Sequence, residues 1–491
     1  MFFVLIVSLY TSRVVLRTLG VVDFGVYNVV AGFVTMFSFL NTSLVGAIQR
    51  YYNFESAKNG DEGVTRVYNT ALFIQSLLSI VLVLLLETFG LWYLNNVMVI
   101  PLERMEAARF LFHTSVLSTV IVIMQIPYSA AIVSFERMDF YAAVGIIDVL
   151  FKLGIVIALP YLPFDKLIVY SLLSLLIAVL GFLLYYIYAK KHFIALRFKR
   201  MFNSDLFKSM LSFSGWNVVG TFSTMAYSQG LNLILNFFFG PIVNAARGIA
   251  SQVMNAIQGF SINITVAFRP QLVESYAKGN YERTRSFLYA ESKICFIMLY
   301  LLALPVILEI DYILKLWLGY SVPEYTNIFT VLVLVQMLAS AFNPAFTQVS
   351  HATGRVKEFQ LSTSFLALLI LPLSYFVLKL GAEPYMVFVV TIIMTIITLF
   401  VCMLVVRKIF PYSIREYLTK VLGPCFLVII ISPLFPMMLS YYIQPSFGRL
   451  ILTTMICTTC TLLLSYFIIL QDKERLMVKE FLISYKNKFK K

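Results

Sequence analysis

Five ionisable side chains sit where a charge is expensive. Arg13, Arg17, Asp148, Lys152 and Arg247 fall inside long apolar runs of this 491-residue chain. A charge in hydrocarbon is costly, and by default it marks the path of an ion or solute. Arg13 and Arg17 are four apart, hence on one face of a helix. Asp148 and Lys152 are also four apart, acid first, an order that suits an intrahelical ion pair. Arg247, within NAARG, lies about two turns into its apolar segment, too deep to reach the interface easily. Four cations against one acid make a cleft suited to an anionic solute. Guanidinium groups match phosphate because they donate two parallel hydrogen bonds. Blander readings compete: Arg13 and Arg17 can snorkel to the outer interface, and Asp148–Lys152 can simply neutralise itself.

Amides and hydroxyls add to the pattern. The second, seventh and eighth apolar segments are dense in them, with Asn28, Asn232 and Asn244 among those expected to line a cavity. Lipid-facing helices do not carry such density, so these groups bond neighbouring helices or line water. A cavity walled by segments 1, 2, 7 and 8 is the simplest arrangement. Other chemistry is poorly served. His113, His192 and His351 are scattered, with no acid–base or nucleophile set around them. Cys457 and Cys460 have CxxC spacing inside an apolar run without a second pair, and read as small apolar fillers. No catalytic residue, metal site or cofactor is expected.

The elements that position these groups follow from composition. Hydrophobic residues make up 60% of the chain and charged residues 13%, far from the roughly 25% charged of soluble domains. Fourteen apolar segments of about 20 residues, the length that crosses a bilayer, lie near 1–19, 25–48, 67–91, 107–133, 140–160, 166–189, 209–238, 241–267, 287–308, 325–349, 360–380, 385–406, 419–442 and 447–470. Of 38 Lys and Arg, 28 sit in alternate connections and the C-terminal tail, and nine in or near the others. This asymmetry places both termini in the cytoplasm of a cell membrane. The net charge of +14 therefore reads as topology and contact with lipid headgroups, not as nucleic-acid binding. No cleavable signal peptide is expected. The first segment begins at Met1 without a polar lead, so either a short first span or a start further upstream is expected.

The segments are duplicated. RYYNFESAKNGDEGVTR, Arg50 to Arg66, recurs as RPQLVESYAKGNYERTR, Arg269 to Arg285, with six of seventeen positions identical. The copies follow segments 2 and 8, so an even number of spans separates them and the repeat is parallel. The expected organisation is a six-helix bundle over 1–189, a basic linker over 190–208 and a second bundle over 209–406. Two extra helices over 407–471 and a basic tail over 472–491 follow. Both motif copies are expected at the cytoplasmic face as helix-end caps, with Gly60 supplying a turn. A gating role for Arg50, Glu55, Arg269 and Glu274 is the sharper reading.

The run Leu9 to Glu55, LYTSRVVLRTLGVVDFGVYNVVAGFVTMFSFLNTSLVGAIQRYYNFE, resembles the N-terminal signature of the polysaccharide branch of the MOP flippases, and in particular the Wzx-type O-antigen and capsule flippases. The resemblance implies a MATE/MOP-like all-α polytopic fold of about 14 transmembrane helices, as two six-helix bundles plus two helices. It implies translocation of an undecaprenyl-diphosphate-linked oligosaccharide from the inner to the outer leaflet by alternating access. Arg13 takes the place of the family's first-span arginine; Arg247 and Lys152 are assigned by position and chemistry. Expected partners are the lipid-linked oligosaccharide, membrane lipids and the polysaccharide polymerase and export machinery. A drug/cation antiporter of the same fold is the alternative, disfavoured because no Asp or Glu precedes Asp23. An integral-membrane enzyme is disfavoured by the lack of acid–base groups.

Overall fold

The computed structural model describes residues 2–199, 204–319, 322–472, 474 and 475. Among these every regular element is helical, and eleven helices are long and apolar enough to cross a membrane. The side chains of Ser38, Asn41, Thr42, Ser43 and Asn217, part of the polar pattern above, lie outside the described ones.

The first helices are continuous runs broken by glycine. α1 (Phe2–Thr35) carries Gly20 at φ 78°, ψ 169°, and α2 (Phe39–Leu85) carries Gly60 at φ 55°, ψ −143°. Both conformations are disfavoured for any residue with a Cβ, so each glycine sets the place where the chain turns. After α3 (Leu91–Asn96) come α4 (Met105–Ser134), α5 (Met138–Ala158) and α6 (Lys166–His192), whose first backbone N–H groups are capped by Asp165. α7 (Ser204–Phe239) and α8 (Pro241–Ala277) meet at Gly240, again at positive φ. Then follow α9 (Tyr281–Leu308), α10 (Ile310–Leu318), α11 (Thr326–Ser340), α12 (Asn343–Thr353), α13 (Val356–Lys379) and α14 (Met386–Ile409). α15 (Ile414–Tyr417), α16 (Gly423–Ile431), α17 (Leu434–Tyr442) and α18 (Phe447–Leu464) complete the described chain.

The chain forms two compact units. The first comprises 1–249, 320–326 and 364–387; the second comprises 250–319, 327–363 and 388–491. Unit 1 is built on α2, α4 and α6. Tyr52, Tyr68 and Tyr128 are buried in its core. There the Tyr52 hydroxyl donates to the Pro127 carbonyl at 3.2 Å, and the Tyr68 and Tyr128 hydroxyls meet at 3.1 Å. Unit 2 is built around α9, with Phe296 stacked between Tyr300 and Phe342. Large apolar side chains such as Leu84, Phe365, Phe376 and Met455 remain exposed, as surfaces facing lipid must be.

Ion pairs fasten helix ends within each unit. In unit 1 Arg104 grips two carboxylates: Asp23 at 2.6 Å through both Nε and Nη2, and Asp165 at 2.6 Å through Nη1. The same guanidinium holds the Asp165 carboxyl below the usual carboxylate range. In unit 2 the buried Glu309 receives Arg449 at 2.6 Å and the Thr453 hydroxyl at 3.0 Å, tying α18 to the end of α9. Lys293, fully buried on α9, reaches Glu474 at 2.9 Å. Fully partnered charges of this kind hold register, whereas removal of one partner strands the other.

Candidate functional site

Asn28, Asn232 and Asn244 lie on neighbouring parts of α1, α7 and α8 in unit 1. Asn244 donates to the Asn232 carbonyl at 2.8 Å, and the Asn232 amide donates to Gln229 Oε1 at 3.0 Å. Asn28 donates to the Phe24 carbonyl one turn back at 2.7 Å. Two glycines let α1 reach this cluster. A methyl group on Gly248 would fall 2.8 Å from the Asn28 amide, and one on Gly32 would fall 2.8 Å from Gln229 Oε1. At the helix ends the approach is closer still: a methyl on Gly25 would sit 1.9 Å from the Pro241 carbonyl oxygen. Small residues permit backbone-to-backbone packing of this kind in membranes.

Arg247 lies on α8, three residues beyond Asn244. It is 8% exposed and donates from Nη2 to the Ser228 carbonyl at 2.6 Å. Among the described residues no carboxylate pairs with it. A buried guanidinium anchored by a carbonyl keeps its full positive charge, and that charge is a recognition element for an anion. Asn244 Oδ1, buried nearby, also lacks a hydrogen-bond partner. An unsatisfied buried acceptor next to a cation is what a water or ligand donor would fill.

The remaining cations do not join this cluster. Arg13 and Arg17 are both exposed along one face of α1. Lys152 and Asp148 form the expected i, i+4 pair at 2.7 Å, with 57% and 40% of their side chains exposed. The motif residues are helix-end groups. Arg50 and Arg269 are exposed, Glu55 pairs with Arg66 at 3.7 Å, and Glu274 pairs with Lys278. Lys278 holds the Glu274 carboxyl below its usual range. Sequence spacing gave no hint of the Arg104–Asp23–Asp165 triad, of Glu309–Arg449, or of a hydroxyl-lined cavity of about 250 Å³ in unit 1. That cavity is bounded by Tyr27, Thr35, Ser115, Ser118, Thr119 and Ser171. Its hydroxyls come from three helices whose facing is invisible to local periodicity.

No family model matches the sequence, and no curated protein matches it. Solved structures do match in shape. One is the lipid II flippase MurJ in an inward closed conformation, with a TM-score of 0.69 at 14% identity over 95% of this chain and 97% of that one. Another is an inward-facing multidrug resistance MATE family transporter of the MOP superfamily. Its TM-score is 0.58 at 14% identity, over 82% of this chain and 92% of that one. A third is the eukaryotic MATE transporter AtDTX14, with a TM-score of 0.56 at 12% identity, over 82% and 97%. The fold is that of the MOP-superfamily transporters. On this MOP fold the Arg247 patch joins α7, α8 and the second half of α1, helices that the sequence marks as polar.

Proposed function

We infer that the chain is a flippase that carries an oligosaccharide linked to a polyprenyl diphosphate from the inner to the outer leaflet of the bacterial cytoplasmic membrane. The observation that carries this reading is Arg247: a buried guanidinium, bonded to a carbonyl, beside amides and with no carboxylate partner among the described residues. A diphosphate supplies the charge that this group lacks. Arg13 and Arg17 add positive charge along the route, the Lys152–Asp148 pair adds polar groups, and alternating access moves the solute past them. The likeness to a lipid II flippase extends over 95% of the chain, against 82% for the MATE transporters. This favours the flippase over the drug/cation antiporter.

In the same reading the spans number fourteen. The break at Gly20 divides the first run in two, and α7 and α8 cross as polar helices. Two parallel six-span halves, a basic linker and two added helices follow, with both termini cytoplasmic. The lipid-linked oligosaccharide and surrounding lipids are the molecules bound, and the polymerase and export machinery act on the product.

Replacing Arg247 or Arg13 by alanine is expected to abolish or strongly reduce export, scored as surface polysaccharide, with normal membrane insertion. Normal surface polysaccharide in both variants refutes the cationic route.

A further inference from the structure

Among the described residues Glu291 is the one carboxylate with both oxygens buried and without a hydrogen-bond partner. It lies on α9, ten residues after Tyr281, and is 0% exposed. Neither carboxylate oxygen has a hydrogen-bond partner of good geometry. Its surroundings are two pairs of residues, each spaced i, i+4 on one helix face: Glu291 and Cys295 on α9, Ser261 and Thr265 on α8. The Thr265 hydroxyl is its polar neighbour, and the Cys295 thiol interacts with Ser261 and Thr265. Ser261 and Cys295 are both buried.

Two buried or half-buried cations packed on α9 or at its end are engaged elsewhere. Lys293, next but one on the helix, is directed to Glu474 and lies near Cys425; Arg449 is held by Glu309. His351 of α12 lies beside Arg269. From α15, Tyr417 bonds Ser292 and Glu416 meets the Tyr289 hydroxyl. Cys295 is a titratable group that interacts with Glu291, and from α8 the Thr265 hydroxyl is its neighbour. A bare carboxylate in such a place costs far more than the same group neutralised. One carboxylate and two hydroxyls are too few oxygens to replace the water shell of a metal ion, which takes six or more ligands when held by oxygen alone.

We propose that Glu291 is a proton-carrying site of this transporter: a neutral carboxylic acid while α8 and α9 are packed together, which releases its proton to water when that packing opens. The proton leaves the carboxyl oxygen and the carboxylate remains, now solvated. The site requires that the protein move between states, so it rests on the transporter reading; it does not depend on which solute is carried.

Infrared spectroscopy of the full chain in lipid nanodiscs tests it without a solute. A carboxylic-acid carbonyl band at pH 7 is expected in the parent, absent in Glu291→Gln, and present at a shifted frequency in Glu291→Asp. Identical spectra for the parent and Glu291→Gln at pH 7 overturn the proposal. So does loss of the band on adding sodium ions, which would make this a metal-ion site. In cells, Glu291→Gln is expected to leave the amount of folded protein unchanged and to remove the dependence of export on external pH. Export that keeps its pH dependence in Glu291→Gln overturns the coupling. A band that survives while the Arg247 and Arg13 variants export normally overturns the flippase reading alone.

Discussion

The two copies of the repeat are best understood side by side. In both, the shared glycine has positive φ, 55° at Gly60 and 71° at Gly279. In both, the shared threonine is buried and bonds the carbonyl four residues back: Thr65 to Asp61 at 2.9 Å, Thr284 to Asn280 at 3.0 Å. Their outward bonds differ. Thr65 also donates to the Ala195 carbonyl at 2.7 Å, and Asn69 holds both the Arg197 carbonyl at 2.9 Å and the Lys199 N–H at 2.8 Å. The first copy is therefore the dock of the basic linker. Thr284 instead meets Ser275 at 2.9 Å, and Tyr276 and Tyr281 pack on Phe410. The second copy closes on its own unit. The two copies share the residues that shape the backbone and differ in the partner they recognise.

The largest effect should come from the glycines. Gly60→Ala and Gly279→Ala each place a Cβ at positive φ, at a cost of about 1–3 kcal/mol. Similar falls in melting temperature in detergent would confirm that the two turns are equivalent; loss in only one would break the equivalence. Next come the threonines. Thr65→Val and Thr284→Val each leave buried acceptors unmet, at about 1–2 kcal/mol. Only Thr65→Val should speed tryptic cutting within 190–199, because only that hydroxyl holds the linker. Equal protection in both variants would refute the docking role. The smallest contrast is at the helix start. Asn280 caps α9 through Arg283 N–H at 3.0 Å, so Asn280→Ala should cost about 1 kcal/mol. Its counterpart Asp61 offers its backbone carbonyl to Thr65, and Asp61→Ala should stay within about 0.5 kcal/mol.

These contrasts show what the sequence could and could not reveal. Apolar length and glycine placement are local properties, so the helices and the turn at Gly60 were legible. The i, i+4 spacing of Asp148 and Lys152 was enough to make their pairing legible. The triad of Arg104 joins residues 81 and 61 positions away, and Glu309 finds Arg449 across 140. No periodicity carries such information, and Arg104 alone reads only as a charge in a connection. Glu291 escaped notice for a related reason. It lies close enough to the end of its apolar run to pass for an interfacial acid, and its isolation becomes visible only when α8 covers it.

The contact at Gly25 has a mechanical consequence. Where the Gly25 backbone touches the Pro241 carbonyl there is no side chain to act as a bearing. Two surfaces meshed at that distance cannot slide or roll past each other without first separating. The part of α1 that begins near Gly25 and the Pro241 end of α8 must then travel as a single lever arm, with its pivot elsewhere along their length.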